Sequence, residues 1–470
     1  MKKNLLALIL LVVMLVNMLA LTSCNLLHGN KNEGNGEEEG KINITFYHTM
    51  GATLREVLET YIPVFEEMYP NINVIHQQVG GYDDVRDTIS TELTVGAQPN
   101  IAYCYPDHVA LYNVAKAVVV LDDYIDFEGS YTFADGVTIS NVGLTADQKA
   151  DFIQGYYEEG KQFGDGTMYT LPMSKSTEVL YYNKTFFDQH GLKVPTTWDE
   201  LEAVCAQIKA IDPNSIPLGY DSEANWFITM TEQLGTPYTS ATGDHFLFDT
   251  AENRAFCAEF REWYLKGYVT TQEILGSYTS SLFTSKEETK SYMSIGSSAG
   301  ATHQRPTKGD DGQYPFEVGI APIPQADPKN PKVISQGPSV CIFDGHSAAE
   351  EEASWLFVKF LVTNVAFQAD FSMASGYVPV IKSVANDPEY AKFLNKANGG
   401  DYIAALSAKV CLEQADAYYV SPAFNGSSDA RDQVGILLQA CLLVKADVAN
   451  PEAEIKKLFE AAVRECQYKQ

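Results

Sequence analysis

Positive charge is scarce in this chain of 470 residues, which carries 33 Lys and Arg against 61 Asp and Glu and has a net charge of −28. A surface of this sign repels phosphate backbones and anionic lipid head groups, so nucleic-acid binding is excluded. Hydrophobic residues make up 45% of the sequence, which is too many for a chain that is disordered throughout. We therefore expect a folded protein of two or three domains, since a domain commonly holds roughly 100–200 residues.

Motifs for metal binding and for several enzyme classes are missing as well. The chain has no CxxC pair, no H-E-x-x-H, no Walker loop and no G-x-G-x-x-G after a strand. It has many acidic residues, but a sequence cannot pair two carboxylates at the roughly 5–10 Å that a glycosidase needs. We expect no metal, no cofactor and no catalysis, with a carbohydrate-active enzyme left as an alternative.

Long apolar runs are confined to the N-terminus, where residues 5–21 are apolar except for Asn17 and follow Lys2 and Lys3. The run ends in Leu-Thr-Ser-Cys24, which resembles the lipobox of bacterial lipoproteins. The resemblance implies that 1–23 is a cleaved signal peptide and that Cys24 carries the lipid. The protein would then be exported and held at the extracellular face of the cytoplasmic membrane. An uncleaved signal anchor is the alternative.

The stretch after Cys24 is rich in Asn, Gly and Glu and cannot bury a core, so 24–40 is expected to be a flexible linker. The seven other cysteines show no metal-ligand spacing, and we expect them to be unpaired, although a disulfide bridge is left open. They are Cys104, Cys205, Cys257, Cys341, Cys411, Cys441 and Cys466.

Hydrophobic periodicity after the linker predicts strands and helices in alternation. Strands are expected at 42–47, 72–75 and 100–104, separated by helices at 54–68 and 84–95. This β-α-β-α-β order favours a mostly parallel sheet that is covered on both faces. Thr197 and Ser347 mark two later helix starts, because each is followed three residues on by Glu. Pro451 marks the start of the last helix. Two α/β lobes account for the pattern.

Six segments of the chain, in the order in which they occur, resemble the extracellular solute-binding proteins of ABC importers. This group includes the maltodextrin and glycerol-3-phosphate binding proteins. The resemblance implies a two-lobe, type II periplasmic-binding-protein-like fold that closes on a solute between the lobes. It also implies an N-terminal lobe of 41–177 and 298–350 and a C-terminal lobe of 178–297 and 351–470. The segments read FYHTMG from Phe46, FEEMYP from Phe65, GAQPNI from Gly96, LPMS from Leu171, VLYYNK from Val179 with PTTWDEL from Pro195, and SGYVPV from Ser375.

The glycerol-3-phosphate branch is the most similar, and its ligand contacts are carried over position by position. Where that branch has a Glu for glycerol hydroxyls, this chain has Pro106, so Asp107 is the candidate carboxylate. Arg431 would supply bidentate donors to an anion. The set implied by the resemblance is Tyr82, Ser176, Trp226, Ser297 or Ser298, Gly337, Tyr377 and Arg431, and Asp107 is added to it as the substitute for the missing Glu.

Ordinary structural roles are the alternatives to these ligand-binding assignments. Tyr82 and Tyr377 could be ordinary half-buried aromatics, Trp226 a core residue, and Arg431 a surface residue paired with Asp429 or Asp432. The function implied is capture of a carbohydrate-type solute, either a sugar or a polyol phosphate, for delivery to an ABC permease. A sensor or adhesin module that reuses the fold is the alternative.

Overall fold

The structure is a computed structural model that describes residues 37–396 and 403–469. The expected signal peptide, Cys24 and most of the expected linker lie outside the described residues. In chain order the strands β1 to β14 of the described part are Ile42–His48, Ile72–Gln78, Ile101–Cys104, Ser130–Thr132, Thr138–Ser140, Leu171–Pro172, Glu178–Asn183, Leu218–Tyr220, Val269–Thr271, Met293–Ser297, Val318–Pro322, Val333–Ile334, Ser339–Ile342 and Tyr418–Tyr419.

Helices flank these strands along the whole described chain. The α-helices are Ala52–Met68, Tyr82–Leu93, Pro106–Tyr112, Asp122–Ile125, Ala146–Asp151, Gln154–Tyr157, Lys184–His190, Trp198–Ile211, Glu223–Leu234, Ala251–Leu265, Gln272–Leu275, Ser280–Phe283, Ala348–Thr363, Val365–Ala374, Pro388–Asn395, Ile403–Glu413, Ser427–Leu442 and Pro451–Lys469. Short 3₁₀ turns lie at Asn113–Ala115, Glu158–Lys161, Ser298–Gln304, Lys382–Asn386 and Ala415–Ala417. None of the described helices is long and apolar enough to cross a membrane.

The first lobe is built on a five-stranded sheet of order β2-β1-β3-β13-β6. Strands β1, β2 and β3 run parallel, and β13 is antiparallel to both of its neighbours. Alternate residues of β3 enter different cores: Tyr103 faces one apolar cluster, whereas Ala102 and Cys104 face another. The prediction of a mostly parallel sheet with both faces covered is therefore confirmed.

The second lobe repeats this plan with a sheet of order β11-β7-β10-β8-β9, in which β7 is the antiparallel strand. Its core includes Trp226, Phe260 and Trp263. The predicted helix starts are present: the Thr197 hydroxyl accepts the amide of Glu200, and Ser347 forms a complete capping box with Glu350. The seven cysteines expected to be unpaired are buried free thiols.

The packing differs from the expected lobe boundaries in strand β11 and in the segment that follows residue 350. Strand β11, expected in the first lobe, belongs to the second sheet. The helices Ala348–Thr363 and Val365–Ala374, expected in the second lobe, bury Trp355, Phe357 and Phe367 in the core of the first sheet. Amphipathic periodicity identifies a helix but does not say which of two sheets it covers, and that is why the assignment failed here.

Three chain segments, which we call the crossings, connect the lobes and lie side by side. They are residues 173–177 between β6 and β7, residues 333–338 from β12 to β13, and residues 414–426 around β14. In the first, Ser176 exchanges backbone hydrogen bonds of 2.9 and 2.8 Å with Gln336 of the second. In the second, β12 pairs in parallel with β14 of the third. A hinge of three adjacent strand-like crossings is an arrangement that permits closure about one axis. The boundaries of the lobes as moving units stay a prediction.

Candidate functional site

Two cavities open beside the hinge, and they share Gln336 and Arg431. The first, which we call the tyrosine cavity, has a volume of about 240 Å³ and is lined by Tyr82, Tyr105 and Tyr238. The second, which we call the amide cavity, has a volume of about 620 Å³; its wall includes Asn225, Gln272, Gln304 and Ser297. Because both lobes contribute residues to the tyrosine cavity, it lies between the lobes, where the sequence predicts a cleft.

The first-lobe wall of the tyrosine cavity is aromatic. The rings of Tyr82 and Tyr105 have centroids 4.6 Å apart. Tyr377 does not line either cavity, but its hydroxyl lies 3.5 Å from that of Tyr82. Burial raises the pKa of the Tyr105 hydroxyl, so this group is a neutral hydrogen-bond donor at physiological pH. Planar rings beside hydroxyl donors suit the apolar faces and the hydroxyls of sugars.

Asp107 reaches across the cleft. Its carboxylate accepts the hydroxyl of Ser428 at 2.8 Å, which joins the first turns of helices from the two lobes. Asp107 therefore lies in the tyrosine cavity as the sequence predicts, with one oxygen bonded to the opposite lobe. Burial and the neighbouring charge of Asp83 raise the pKa of Asp432, which lines the second-lobe side of the same cavity.

Arg431 stands between the two cavities. Its Nη2 donates to the Asn225 Oδ1, and Asn225 Nδ2 in turn donates to the Glu178 Oε1 at 2.9 Å. The pairing with Asp429 considered from the sequence is absent among the described contacts of Arg431, and Asp429 accepts Lys469 instead, at 2.9 Å. The guanidinium thus faces the cleft rather than the outer surface.

Several predicted residues lie behind the cavity walls. The Ser176 hydroxyl is 3.5 Å from that of Ser297, but it is buried in the first crossing. Gly337 has φ +94°, and a Cβ there would lie 2.6 Å from the Ser174 carbonyl, so its role in the described structure is to let two crossings approach.

Trp226 is in the core and not in either cavity. Its ring stacks on Tyr220 at 4.8 Å and packs on Phe260 at 4.2 Å, and its exposed fraction is 0%. Trp226 therefore has the core position that was the alternative to a role in ligand binding. The neighbouring Asn225, one residue earlier on the same helix, is the side chain that reaches the cleft.

Ser298 is also inaccessible. It is the middle residue of Gly296–Gly300, a run with the G-x-S-x-G spacing of a hydrolase nucleophile. Its hydroxyl contacts the Thr177 amide at 3.2 Å and the Cys411 thiol at 3.7 Å, not an imidazole that could act as a base. The spacing therefore carries no nucleophile here.

The sequence missed four residues that shape the cleft: Glu178, Asn225, Gln336 and Tyr105. Glu178, Asn225 and Gln336 lie within one or two residues of positions that were singled out, namely Ser176, Trp226 and Gly337. Such near misses are expected, because one step along a strand or helix turns a side chain toward another face. Among the described residues, no cluster of three or more His, Cys, Asp or Glu side chains could hold a metal ion.

Comparison with known proteins places the chain in a family. The family model of the bacterial extracellular solute-binding proteins matches residues 60–397. The sn-glycerol-3-phosphate-binding periplasmic protein of Rhizobium meliloti is 23% identical over 364 residues, which cover 76% of this chain and 79% of the relative. The multiple sugar-binding protein of Streptococcus mutans is 24% identical over 223 residues, with 47% of this chain and 46% of that protein covered.

Solved structures share the fold. UgpB from Mycobacterium tuberculosis, in complex with glycerophosphocholine, superposes with a TM-score of 0.70 at 18% identity, covering 91% of this chain and 99% of that one. The substrate-binding protein Lmo0181 from Listeria monocytogenes, in complex with cycloalternan, also has a TM-score of 0.70, at 16% identity, and covers 90% of this chain and 98% of that one. These relatives are binding proteins, not enzymes. The chain therefore belongs to the bacterial extracellular solute-binding proteins, the substrate-binding components of ABC importers.

Proposed function

We propose that this protein captures an uncharged, polyhydroxylated solute of the sugar or oligosaccharide type and delivers it to an ABC permease. The observation that carries the proposal is the pair of cavities that adjoin the hinge and share Gln336 and Arg431. A solute that contacts both lobes there favours the closed state, because only that state offers both sets of contacts. The relatives named for sugars and for glycerol-3-phosphate support the general solute class.

Charge separates the two solute classes that the sequence leaves open. Acidic side chains outnumber cations in the walls: Arg86 is already paired with Asp83 at 3.0 Å, and Arg431 is bonded to Asn225. The acids of the two cavities are Asp83 and Glu159, which are ion-paired with Arg86 and Lys175, and Asp107, Glu178, Asp221 and Asp432. A phosphate monoester would meet several like charges at short range, whereas sugar hydroxyls can donate to these carboxylates. Sugars are therefore favoured over polyol phosphates.

A melting-temperature screen of residues 37–470 tests the proposal. The panel contains maltotriose, cyclic and linear glucose oligomers, ribitol, sn-glycerol-3-phosphate and glycerophosphocholine. A solute at about 100 times its Kd stabilises the folded protein by about 2.7 kcal/mol, so a true ligand raises the melting temperature measurably. We expect a shift with a neutral member. A larger shift with glycerol-3-phosphate would refute the uncharged class, and no shift with any member would count against a carbohydrate-type solute.

We further propose that Cys24 is lipidated and holds the protein at the extracellular face of the cytoplasmic membrane. The support is the Leu-Thr-Ser-Cys24 motif with its apolar run and polar linker. Replacement Cys24→Ala in the full-length chain should move the protein from the membrane fraction to the soluble or secreted fraction. Replacement Ser23→Ala, which keeps a small residue before the cysteine, is the matched control. Equal membrane retention of Cys24→Ala and the wild type would refute lipid anchoring.

A further inference from the structure

Glu178 is a buried carboxylate at the first position of β7, directly after the first crossing between the lobes. Both of its oxygens accept hydrogen bonds: Oε1 from Asn225 Nδ2 at 2.9 Å and Oε2 from the Tyr220 hydroxyl at 2.7 Å. Its exposed fraction is 1%, so water competes little for these bonds. No role for Glu178 follows from the sequence resemblance.

The carboxylate determines which way the Asn225 amide points. An ionised carboxylate only accepts hydrogen bonds, so the NH₂ group of Asn225 must face Glu178. The amide oxygen is then left on the other side, where it accepts Arg431 Nη2. Three side chains far apart in the sequence thus form one chain of donors and acceptors that ends at the cleft.

We propose that Glu178 is a positioning residue for solute binding: acting through Asn225, it holds the Arg431 guanidinium where it faces both cavities. This inference rests on the proposed function, because it concerns how the same cleft binds its solute. A guanidinium held by one rigid contact keeps its remaining donors directed at the cleft. The protein then loses less conformational freedom when a solute binds.

Protonation of Glu178 would break this arrangement. Burial raises the pKa of Glu178 to about 7; the hydrogen bonds from Tyr220 and Asn225 and the charge of Arg431 act to lower it, and the charge of Asp221 acts to raise it. Tyr419 is a further titratable group near this carboxylate. A protonated carboxyl donates from one oxygen, which favours the reversed amide, and the Asn225 NH₂ would then face the donors of Arg431. Positioning is therefore present above pH 7 and is lost as the pH falls through about 7.

Calorimetry tests this with the uncharged panel member that gives the largest melting shift, measured between pH 6 and 8.5. We expect the wild-type affinity to fall about tenfold from pH 8 to pH 6. The neutral isostere Glu178→Gln should bind the solute about tenfold more weakly than the wild type at pH 8, and its affinity should not change with pH. Asn225→Ala should show the same two effects. Glu223→Gln replaces another buried glutamate, on the same helix as Asn225, and should keep the wild-type profile.

A ligand-free measurement separates failure of this inference from failure of the proposed function. The ¹⁵N side-chain signal of Arg431, assigned with Arg431→Lys, should titrate with a midpoint near pH 7 in the wild type and not in Glu178→Gln. If no panel solute binds, the proposed solute class is wrong, and this titration alone then tests whether Glu178 positions Arg431 through Asn225. An Arg431 signal without that midpoint would overturn the inference. So would a Glu178→Gln protein that binds more weakly but keeps the wild-type pH slope, since that result indicates a purely structural role.

Discussion

Arg431 is the cation that both cavities share, and its interaction with solute depends on what the solute offers. Sugar hydroxyls accept hydrogen bonds without charge, and each such bond to a charged donor contributes about 1.5–3 kcal/mol. A phosphate would gain more from the guanidinium but would also meet the acidic walls. At the scale of single residues, solute affinity therefore depends on the balance between the Arg431 guanidinium and the acidic side chains around it, and not on one dominant charge.

Replacement Arg431→Ala should weaken binding of the best neutral solute by about 10- to 100-fold, because it removes one charge-assisted donor from a partly buried site. Arg464→Ala, at an exposed position of the helix Pro451–Lys469, is the matched control and should leave the affinity unchanged. Titration calorimetry at pH 8 measures both. A loss of less than about threefold with Arg431→Ala would place the guanidinium outside the binding site.

Glu352 provides a pH test of stability. It is 6% exposed in the helix Ala348–Thr363, its Oε1 has no partner among the described residues, and burial raises its pKa to about 7. A raised carboxyl pKa means that the folded protein binds more protons than the unfolded one between about pH 4.5 and 7, so stability falls as the pH rises through that window. Glu352→Gln, which cannot ionise, should be more stable than the wild type by about 1–2 kcal/mol at pH 8.

The same replacement should have little effect at pH 4.5, where Glu352 is already neutral. Urea denaturation at the two pH values measures the difference. Glu56→Gln, at an exposed position of the helix Ala52–Met68, is the control and should show no such pH-dependent gain. Equal stability of Glu352→Gln and the wild type at pH 8 would mean that the carboxylate is not destabilising there.

At the scale of elements, a buried ion pair ties the first crossing to the 3₁₀ turn Glu158–Lys161. Lys175 Nζ, in the first crossing, lies 2.8 Å from Glu159 Oε1 and 3.1 Å from the Ser339 hydroxyl. The Ser335 hydroxyl of the second crossing donates to the other oxygen of Glu159 at 3.0 Å. Lys175 and Glu159 are 0% and 2% exposed, so each charge depends on the other.

Replacement Lys175→Met should destabilise the protein by about 3–5 kcal/mol, because it leaves the Glu159 charge buried without its partner. The double replacement Lys175→Met with Glu159→Gln should recover most of that loss. Lys392→Met breaks an exposed pair with Glu389 and should cost less than about 1 kcal/mol. Urea denaturation measures all three. If the double variant is as unstable as Lys175→Met, the loss comes from packing and not from the unpaired charge.

At the scale of the whole molecule, two sheets meet at one hinge with the cleft beside it. The bond between Asp107 and Ser428 crosses this cleft, and Arg86 and Asp432 face each other over it. These contacts stabilise approach of the lobes even before a solute contributes. A hydrogen bond from a hydroxyl to a carboxylate is worth about 1.5–3 kcal/mol, which is small enough for a solute to control the equilibrium.

Small-angle scattering should therefore show a smaller radius of gyration when the best neutral solute saturates residues 37–470. Ser428→Ala removes the cross-cleft bond and should enlarge the ligand-free radius or leave it unchanged, while still allowing contraction on binding. The same measurement with a panel member that gives no melting shift is the control. A radius that does not change at saturating solute would refute closure.

Local features of this protein were predictable from its sequence. The sequence predicts the β-α-β-α-β order, the caps at Thr197 and Ser347 and the family, and Tyr82, Asp107 and Arg431, which it proposes as ligand contacts, line one cavity of the structure. The strand and helix order and the caps depend on short runs of neighbouring residues, whose periodicity and capping chemistry are readable one segment at a time. The family and the candidate cleft residues follow instead from the resemblance of short segments to the solute-binding proteins.

Only the tertiary structure decided which helices cover which sheet and which side chains meet at the cleft. Helices such as Ala348–Thr363 can bury their apolar face on either sheet, and packing selects the first. The contact of Glu178 with Asn225 and of Asn225 with Arg431 joins residues 47 and 206 positions apart. No local pattern encodes such contacts, because they exist only once the second sheet has brought the three segments together.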